Sequence, residues 1–85
     1  MADESGFEVI PSQASSQIEQ VLFNAATSQG AIVFLAKGSR GPSRYEYDEA
    51  TLEEAQQIAS GAIGGSVGVT FGQLWKGVKT FRRVS

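Results

Sequence analysis

The segment AIVFLAKGSRGPSRYEYD, residues 31–48, contains the clearest secondary-structure signals in the chain. Residues 31–36 are a continuous apolar run rich in β-forming side chains, and residues 44–48 alternate polar and aromatic side chains. Between these runs, residues 38–43 combine Gly, Ser and Pro in a cluster that is typical of a turn. Two strand-like runs around a short loop predict a β-hairpin.

A helix is expected directly after this hairpin. Thr51-Leu52-Glu53-Glu54 has the S/T-x-x-E spacing of a capping box, in which the first and last side chains satisfy each other's backbone N–H groups. Apolar residues then recur at helical spacing at positions 55, 58, 59 and 62. The pair Gly64-Gly65 is predicted to end the helix.

Two other stretches fit more than one structure. Residues 14–28 suit an amphipathic helix but also contain alternation typical of a strand from residue 17 to 23. Residues 66–71 alternate as well, yet a longer apolar stripe, Val67, Phe71, Leu74, Val78 and Phe81, follows helical spacing. The longer pattern favours a helix over residues 66–81, with Ser66 as its N-cap, despite three internal glycines.

Length and composition predict one small globular domain. The chain has 85 residues, of which 41% are hydrophobic. Residues 1–12 are expected to be a flexible lead-in and residues 13–85 the domain. The chain has no Cys and no His, which removes disulfides, thiolate and imidazole chemistry and the usual zinc ligands. We therefore expect a binding protein with no catalytic residue, metal or cofactor.

The N-terminal residues and the hydropathy of the chain predict a cytoplasmic protein that does not associate with a membrane. The acidic, polar start at residues 1–6 lacks the basic and apolar regions of a signal peptide. No apolar run approaches the ~18 residues that a membrane span requires.

Several short motifs occur in an order that resembles the KTSC domain, a small bacterial and phage module found at the C-terminus of some lysyl-tRNA synthetases. The central motif is Y-x-Y, here Tyr45-Glu46-Tyr47, preceded by Ser-Ser-x-Ile-x-x-Val-x-aromatic at residues 15–23. Downstream are Ser-x-Gly at residues 66–68 and then, in order, Phe71, Lys76 and Arg82 or Arg83. The proline that usually follows the Y-x-Y segment is absent.

This resemblance implies a strand, not a helix, at residues 17–23. The expected fold class is then α+β, a three-stranded antiparallel sheet followed by two helices packed on one face. A third strand is physically reasonable because an isolated hairpin is only marginally stable. The family's synthetase context also implies RNA as a ligand, in a bacterial or phage setting.

The charge distribution predicts a candidate nucleic-acid surface. All nine acidic residues lie within residues 1–61, whereas residues 62–85 hold four basic residues and no acid. On a continuous helix, Lys76, Lys79 and Arg83 form one stripe that could follow a phosphate backbone, with Arg82 beside it. Tyr45 and Tyr47 share one strand face and could stack bases. The alternatives are core packing for the tyrosines and, for the cations, a surface neutralised by the acidic half.

Two further predictions concern the second helix. Its start at Ser66 and Gly68 offers free N–H groups as a candidate anion site. Trp75 lies one position off the apolar stripe, so it could be half-exposed and contact a partner, because Trp often dominates protein interfaces; the alternative is that it packs at the flank of the core. The alternative to nucleic-acid binding is therefore a small regulator or inhibitor that binds a host protein. The sequence gives no indication of oligomeric state.

Overall fold

The computed structural model describes residues 6–13, 15, 17–36 and 41–84, and shows one sheet with two helices. Its elements, in chain order, are β1 (Glu8–Ile10), β2 (Ile18–Asn24), β3 (Gln29–Phe34), β4 (Ser43–Tyr47), α1 (Leu52–Ser60), α2 (Val67–Leu74) and β5 (Phe81–Arg83). The strands pair antiparallel in the order β1-β2-β3-β4-β5. The α+β class is confirmed, but the sheet has five strands where three were predicted.

The predicted β3–β4 hairpin and the β2 strand are both present. Ile32 is opposite Tyr45, and Val21 is opposite Ile32, so these side chains share the face that the helices cover. The β2–β3 loop is held by Asn24, whose Oδ1 accepts hydrogen bonds from the N–H groups of Ala26 and Thr27 at 3.0 and 3.3 Å. The turn predicted at residues 38–43 lies partly outside the described residues.

The first additional strand, β1, occupies part of the segment predicted as a flexible lead-in. Val9 pairs with Leu22 on β2. Just before β1, Phe7 is buried on the sheet face opposite the helices, in a small cluster with Leu22 and Ala31. The Arg44 guanidinium carbon lies 4.8 Å from the centre of the Phe7 ring. The helices therefore pack on one face of the sheet, and Phe7 covers part of the other.

Helix α1 begins as predicted but ends earlier. Thr51 and Glu54 form the complete capping box, with reciprocal hydrogen bonds of 3.0 and 3.1 Å. The helix ends at Ser60, because Gly61 adopts the left-handed conformation (φ 67°) and its N–H caps the last turn. The prediction that Gly64-Gly65 ends this helix was wrong.

The predicted helix over residues 66–81 is a short helix followed by a strand. Ser66 is the N-cap, as expected, and its Oγ accepts a hydrogen bond from the Val69 N–H at 3.2 Å. Helix α2 ends at Leu74, and Gly77 then takes a positive φ of 74°, which redirects the chain towards the sheet. Phe81 pairs with Tyr47 on β4, so sheet pairing replaces the helical stripe beyond Leu74.

Candidate binding groove

The two helices leave part of their sheet face open beside β3, β4 and β5. The opening is a groove of about 680 Å³, and we call it the aromatic groove. Five aromatic side chains from three strands and α2 form most of its walls, and five other residues complete the lining: Phe34, Tyr45, Tyr47, Phe71 and Phe81, with Leu35, Gly41, Ser43, Lys76 and Gly77. This volume is within the range of pockets that bind ligands.

Contacts between rings fix the walls of the groove. The Tyr45 ring lies 5.6 Å from Phe34 in an edge-to-face arrangement and 5.8 Å from Phe81. Tyr47 lies 5.5 Å from Phe71 and 5.8 Å from Phe81. Such pairs prefer these separations and orientations because of the ring quadrupole. The rings therefore hold one another in place, and the groove is preformed.

Trp75 lies beneath the groove instead of at its rim. Its side chain is 0% exposed, so of the two sequence-based alternatives the structure shows packing in the core and not a half-exposed Trp. The indole packs on Gly30 and against Tyr47, with the Tyr47 and Trp75 ring centres 5.5 Å apart. Its Nε1–H donates to Glu54 Oε1 at 3.3 Å. Trp75 therefore supports the groove and cannot itself contact a partner.

The predicted tyrosine pair does share one face, but the two rings are not equally accessible. Tyr47 is only 3% exposed, whereas Tyr45 is half-buried on the groove wall. Burial and, secondarily, the neighbouring Tyr45 raise the pKa of Tyr47 from 10.0 to about 12. The accessible apolar groups are instead Phe81, at 55% exposure, and Leu35, at 40%.

The predicted basic stripe does not form, because its residues do not share a helix. Lys79 follows α2, and its Nζ donates to the Glu49 carbonyl oxygen at 2.7 Å and lies 3.3 Å from Glu54 Oε1. Arg82, on β5, pairs with Glu46 at 3.2 Å and Asp48 at 3.6 Å. These two cations are therefore neutralised by the acidic half of the chain, as one of the sequence-based alternatives anticipated.

The two remaining cations of that prediction lie nearer the groove. Lys76 lines it, and no carboxylate within the described part of the chain pairs with Lys76. Arg83 is opposite Tyr45 in the β4–β5 ladder and so extends from the groove face of the sheet. The structure thus brings Tyr45, Tyr47 and Lys76 together, while Lys79 and Arg82 lie apart from them.

The start of α2 shows capping and packing. Ser66 Oγ is occupied by the Val69 N–H, and the Gln17 side-chain oxygen lies 3.6 Å from the position that a Cβ on Gly68 would occupy. Among residues 6–13, 15, 17–36 and 41–84, no group of three or more Asp or Glu side chains is placed to hold a metal ion.

Sequence reasoning missed three aromatic residues of the groove wall, Phe34, Phe71 and Phe81. Phe34 belongs to the apolar strand run, and the other two fit the helical stripe, so all three were assigned to the core. No sequence signal distinguishes a ring in a groove wall from a ring in a closed core. Only the return of β5 to the sheet places Phe81 beside Tyr45 and Tyr47.

The fold and groove define an α+β domain with an open aromatic groove on one sheet face. No protein-family model matches the chain, and no curated protein is similar to it. In the part of the chain that the structure describes, no helix is long and apolar enough to cross a membrane.

Proposed function

We propose that this protein is a non-catalytic binding module whose aromatic groove receives an apolar segment of a partner protein. The observation that carries the proposal is the open groove itself, which exposes Phe81 and Leu35 on an aromatic wall. A preformed concave surface binds with little loss of conformational entropy. Exposed apolar surface of this kind commonly marks an interaction site.

The charges of the domain support a protein partner over nucleic acid. Lys79 and Arg82 are paired with carboxylates of the same chain, so neither is available to contact phosphates without breaking those pairs. The net charge of the whole chain is −2. Affinity for nucleic acid depends mainly on cations that replace counterions along the phosphate backbone.

The groove residues also support a binding role without catalysis. The titratable side chains among its described lining residues are Tyr45, Tyr47 and Lys76. The Tyr47 phenol is protonated at neutral pH, as an ordinary tyrosine is, and burial moves its pKa further from neutrality, so it is a poor general base. Ser43 lines the groove, but the chain has no His to activate a serine.

Membership of the KTSC family is part of the same proposal, together with a cytoplasmic location and a bacterial or phage setting. Its support is the order of β2, β3, β4, α1 and α2, which agrees with the order that the resemblance implies. The Y-x-Y motif lies on β4 and contributes both tyrosines to the groove.

Single-stranded nucleic acid is the second candidate ligand. The specific observation in its favour is that Lys76 lies in the same groove as the accessible rings of Tyr45 and Phe81. Bases stack on such rings with energies of about 1–3 kcal/mol each. This ligand would show binding that weakens steeply as salt concentration rises.

The test is a selection of binders from a displayed library of random peptides, followed by amide NMR of the labelled protein. We expect the selected peptides to shift the signals of Lys76, Gly77 and Phe81, which lie along the groove. Phe81→Ser should abolish binding, whereas Val69→Ser should preserve it. Val69 is a suitable control because it is similarly exposed, at 47%, but lies on α2 outside the groove lining.

Two results would contradict this proposal. One is peptides that bind Phe81→Ser as tightly as the unaltered protein. The other is a failure to select peptides while single-stranded oligonucleotides bind with strong salt dependence, which would favour the second candidate. Circular dichroism of both variants would verify that each remains folded.

A further inference from the structure

We infer that the occupant of the aromatic groove is a large apolar side chain of the partner protein next to a carboxylate, with the carboxylate at Lys76. This inference rests on the proposed function and specifies the chemistry of the partner. It follows from the distribution of charge around the groove.

The groove is positive on a protein that is negative as a whole. Lys76 carries the charge among the described residues that line the groove, and the net charge of the chain is −2. The nearby carboxylates are directed elsewhere. Glu46 alternates with Tyr45 and Tyr47 along β4, so its side chain extends from the opposite face of the sheet.

Lys76 differs from Lys79 and Arg82, because both of those cations are paired with groups of the same chain. Lys79 contacts Glu49 and Glu54, and Arg82 contacts Glu46 and Asp48. Lys76 is exposed, and no described carboxylate pairs with it. A partner carboxylate at this position would gain a charge interaction without displacing one already present in the protein.

The residues of the groove walls determine which apolar side chain of the partner fits. Phe34, Tyr45 and Phe81 offer ring surface, and Leu35 adds an aliphatic side chain at the rim. Gly77 has no side chain and lies next to Lys76, which leaves the approach between the cation and the rings open. An aromatic or large aliphatic side chain would therefore enter between the rings while its neighbouring carboxylate meets Lys76.

A contact with Lys76 and the net charge of the protein predict opposite preferences for the charge of a bound peptide. Long-range attraction by the acidic surface favours basic segments, whereas contact at Lys76 favours acidic ones. A set of three labelled peptides separates these effects. Each has one central Trp, flanked by Glu, by Lys or by Ser, and binding is measured by fluorescence anisotropy at physiological salt.

We expect the Glu-flanked peptide to bind most tightly and the Lys-flanked peptide least tightly. Lys76→Gln should weaken binding of the Glu-flanked peptide about threefold, as expected for loss of an exposed ion pair. The affinity for the Ser-flanked peptide should stay unchanged. Lys76→Glu should reverse the order of the two charged peptides. The matched control is Gln73→Glu, which alters the net charge of the protein by the same amount as Lys76→Gln at an exposed position on α2 outside the groove lining.

The outcomes separate this inference from the proposed function. Equal binding of all three peptides, with loss in Phe81→Ser, would retain the groove as the site and overturn the role of Lys76. If Gln73→Glu weakened binding of the Glu-flanked peptide as much as Lys76→Gln, the role of Lys76 would also be overturned. That result would indicate an effect of net charge alone. Binding of the Glu-flanked peptide that is insensitive to Phe81→Ser would contradict both. A further outcome is that a single-stranded oligonucleotide binds more tightly than any peptide and loses that binding in Lys76→Gln. This result would overturn the inference in favour of nucleic acid.

Discussion

The six-membered ring of Trp75 lies directly against the α-carbon of Gly30, so that only glycine fits at this position on β3. A Cβ added there would lie 2.6 Å from both Cζ2 and Cζ3 of the indole and closer still to Cη2. Gly30 is opposite Tyr47 in the β3–β4 ladder, whose ring also packs on the indole. This close approach sets the depth of the groove, because Trp75 supports Tyr47 from below.

Gly30→Ala is therefore expected to destabilise the fold by at least about 1–3 kcal/mol, the usual cost of overpacking a core. Gly72→Ala is the matched control. Gly72 lies within α2 and has no atom within 4 Å of an added Cβ, so alanine there should stabilise the helix by up to about 1 kcal/mol. Urea denaturation of both variants would measure the difference, and a neutral Gly30→Ala would contradict the packing described.

A second prediction concerns Glu54, which connects the start of α1 to the segment after α2. Its Oε1 accepts hydrogen bonds from the Thr51 N–H and Trp75 Nε1–H and lies 3.3 Å from Lys79 Nζ. Glu54→Ala should reduce the free energy of unfolding by about 1–3 kcal/mol, since it removes the Glu54 half of the capping box and leaves the indole N–H without this acceptor.

The neighbouring residue provides the control for Glu54. Glu53 is also in the first turn of α1 but is exposed. Glu53→Ala should cost about 0.3–1 kcal/mol, the interaction of one carboxylate with the helix dipole. Thermal denaturation of the two variants side by side would check this, and equal losses would indicate that Glu54 acts only through its charge.

The third prediction concerns the pH dependence of stability. Burial raises the pKa of Tyr47 to about 12, against 10.0 for an exposed tyrosine. Below pH 10 the phenol is protonated in both states, so its contribution to stability is fully present. Between pH 10 and about 12 the unfolded chain ionises first, and stability falls by as much as about 3 kcal/mol.

The midpoint of urea denaturation, measured across this pH range, would test the prediction for Tyr47. Tyr47→Phe keeps every other titrating group, so its midpoint should decline less over the same range. Tyrosinate absorbance in a Tyr45→Phe background would follow the Tyr47 phenol directly. Ionisation near pH 10 in the folded protein would contradict its burial.

A fourth prediction concerns Thr70, which is fully buried in α2 and fixes the loop between the helices. Its hydroxyl donates towards the Ser66 and Ile63 carbonyl oxygens, at 2.7 and 3.2 Å, and accepts from the Ile63 N–H at 3.0 Å. Thr70→Val has the same shape but leaves the Ile63 N–H without this acceptor, at a cost of about 1–3 kcal/mol, while both carbonyl oxygens keep a backbone donor. Thr80→Val, at an exposed position, should change the unfolding midpoint little.

The sequence predicted the elements whose signals are local. The Thr51–Glu54 capping box and the alternation of Tyr45 and Tyr47 depend on residues within one turn or strand, so both were identified correctly. Strand β1 has only three residues, and Phe7 owes its burial to Leu22 and Ala31, which are distant in the sequence. Neither feature carries a local signal.

The C-terminal region shows why the candidate site was predicted only in part. Val67, Phe71 and Leu74 follow the predicted helical stripe, but beyond Leu74 helix and strand compete. Gly77 and the pairing of Phe81 with Tyr47 decide in favour of the strand. The same change separates Lys79 and Arg82 from Lys76, so the basic stripe is lost and the aromatic groove is formed.

The late position of β5 in the chain has a consequence for dynamics. Strand β5 is joined to β4 by a connection that contains both helices, and it has three residues at an edge of the sheet. Contacts between distant parts of a chain form slowly, and short edge elements open with little free energy. We therefore expect Phe81 to leave the wall in brief local openings, with fast amide exchange at Val84, whose N–H bonds to the Arg44 carbonyl oxygen at 2.9 Å. A ligand that requires the complete wall would select the closed state and slow that exchange, so the measured affinity would include the free energy of closing the groove.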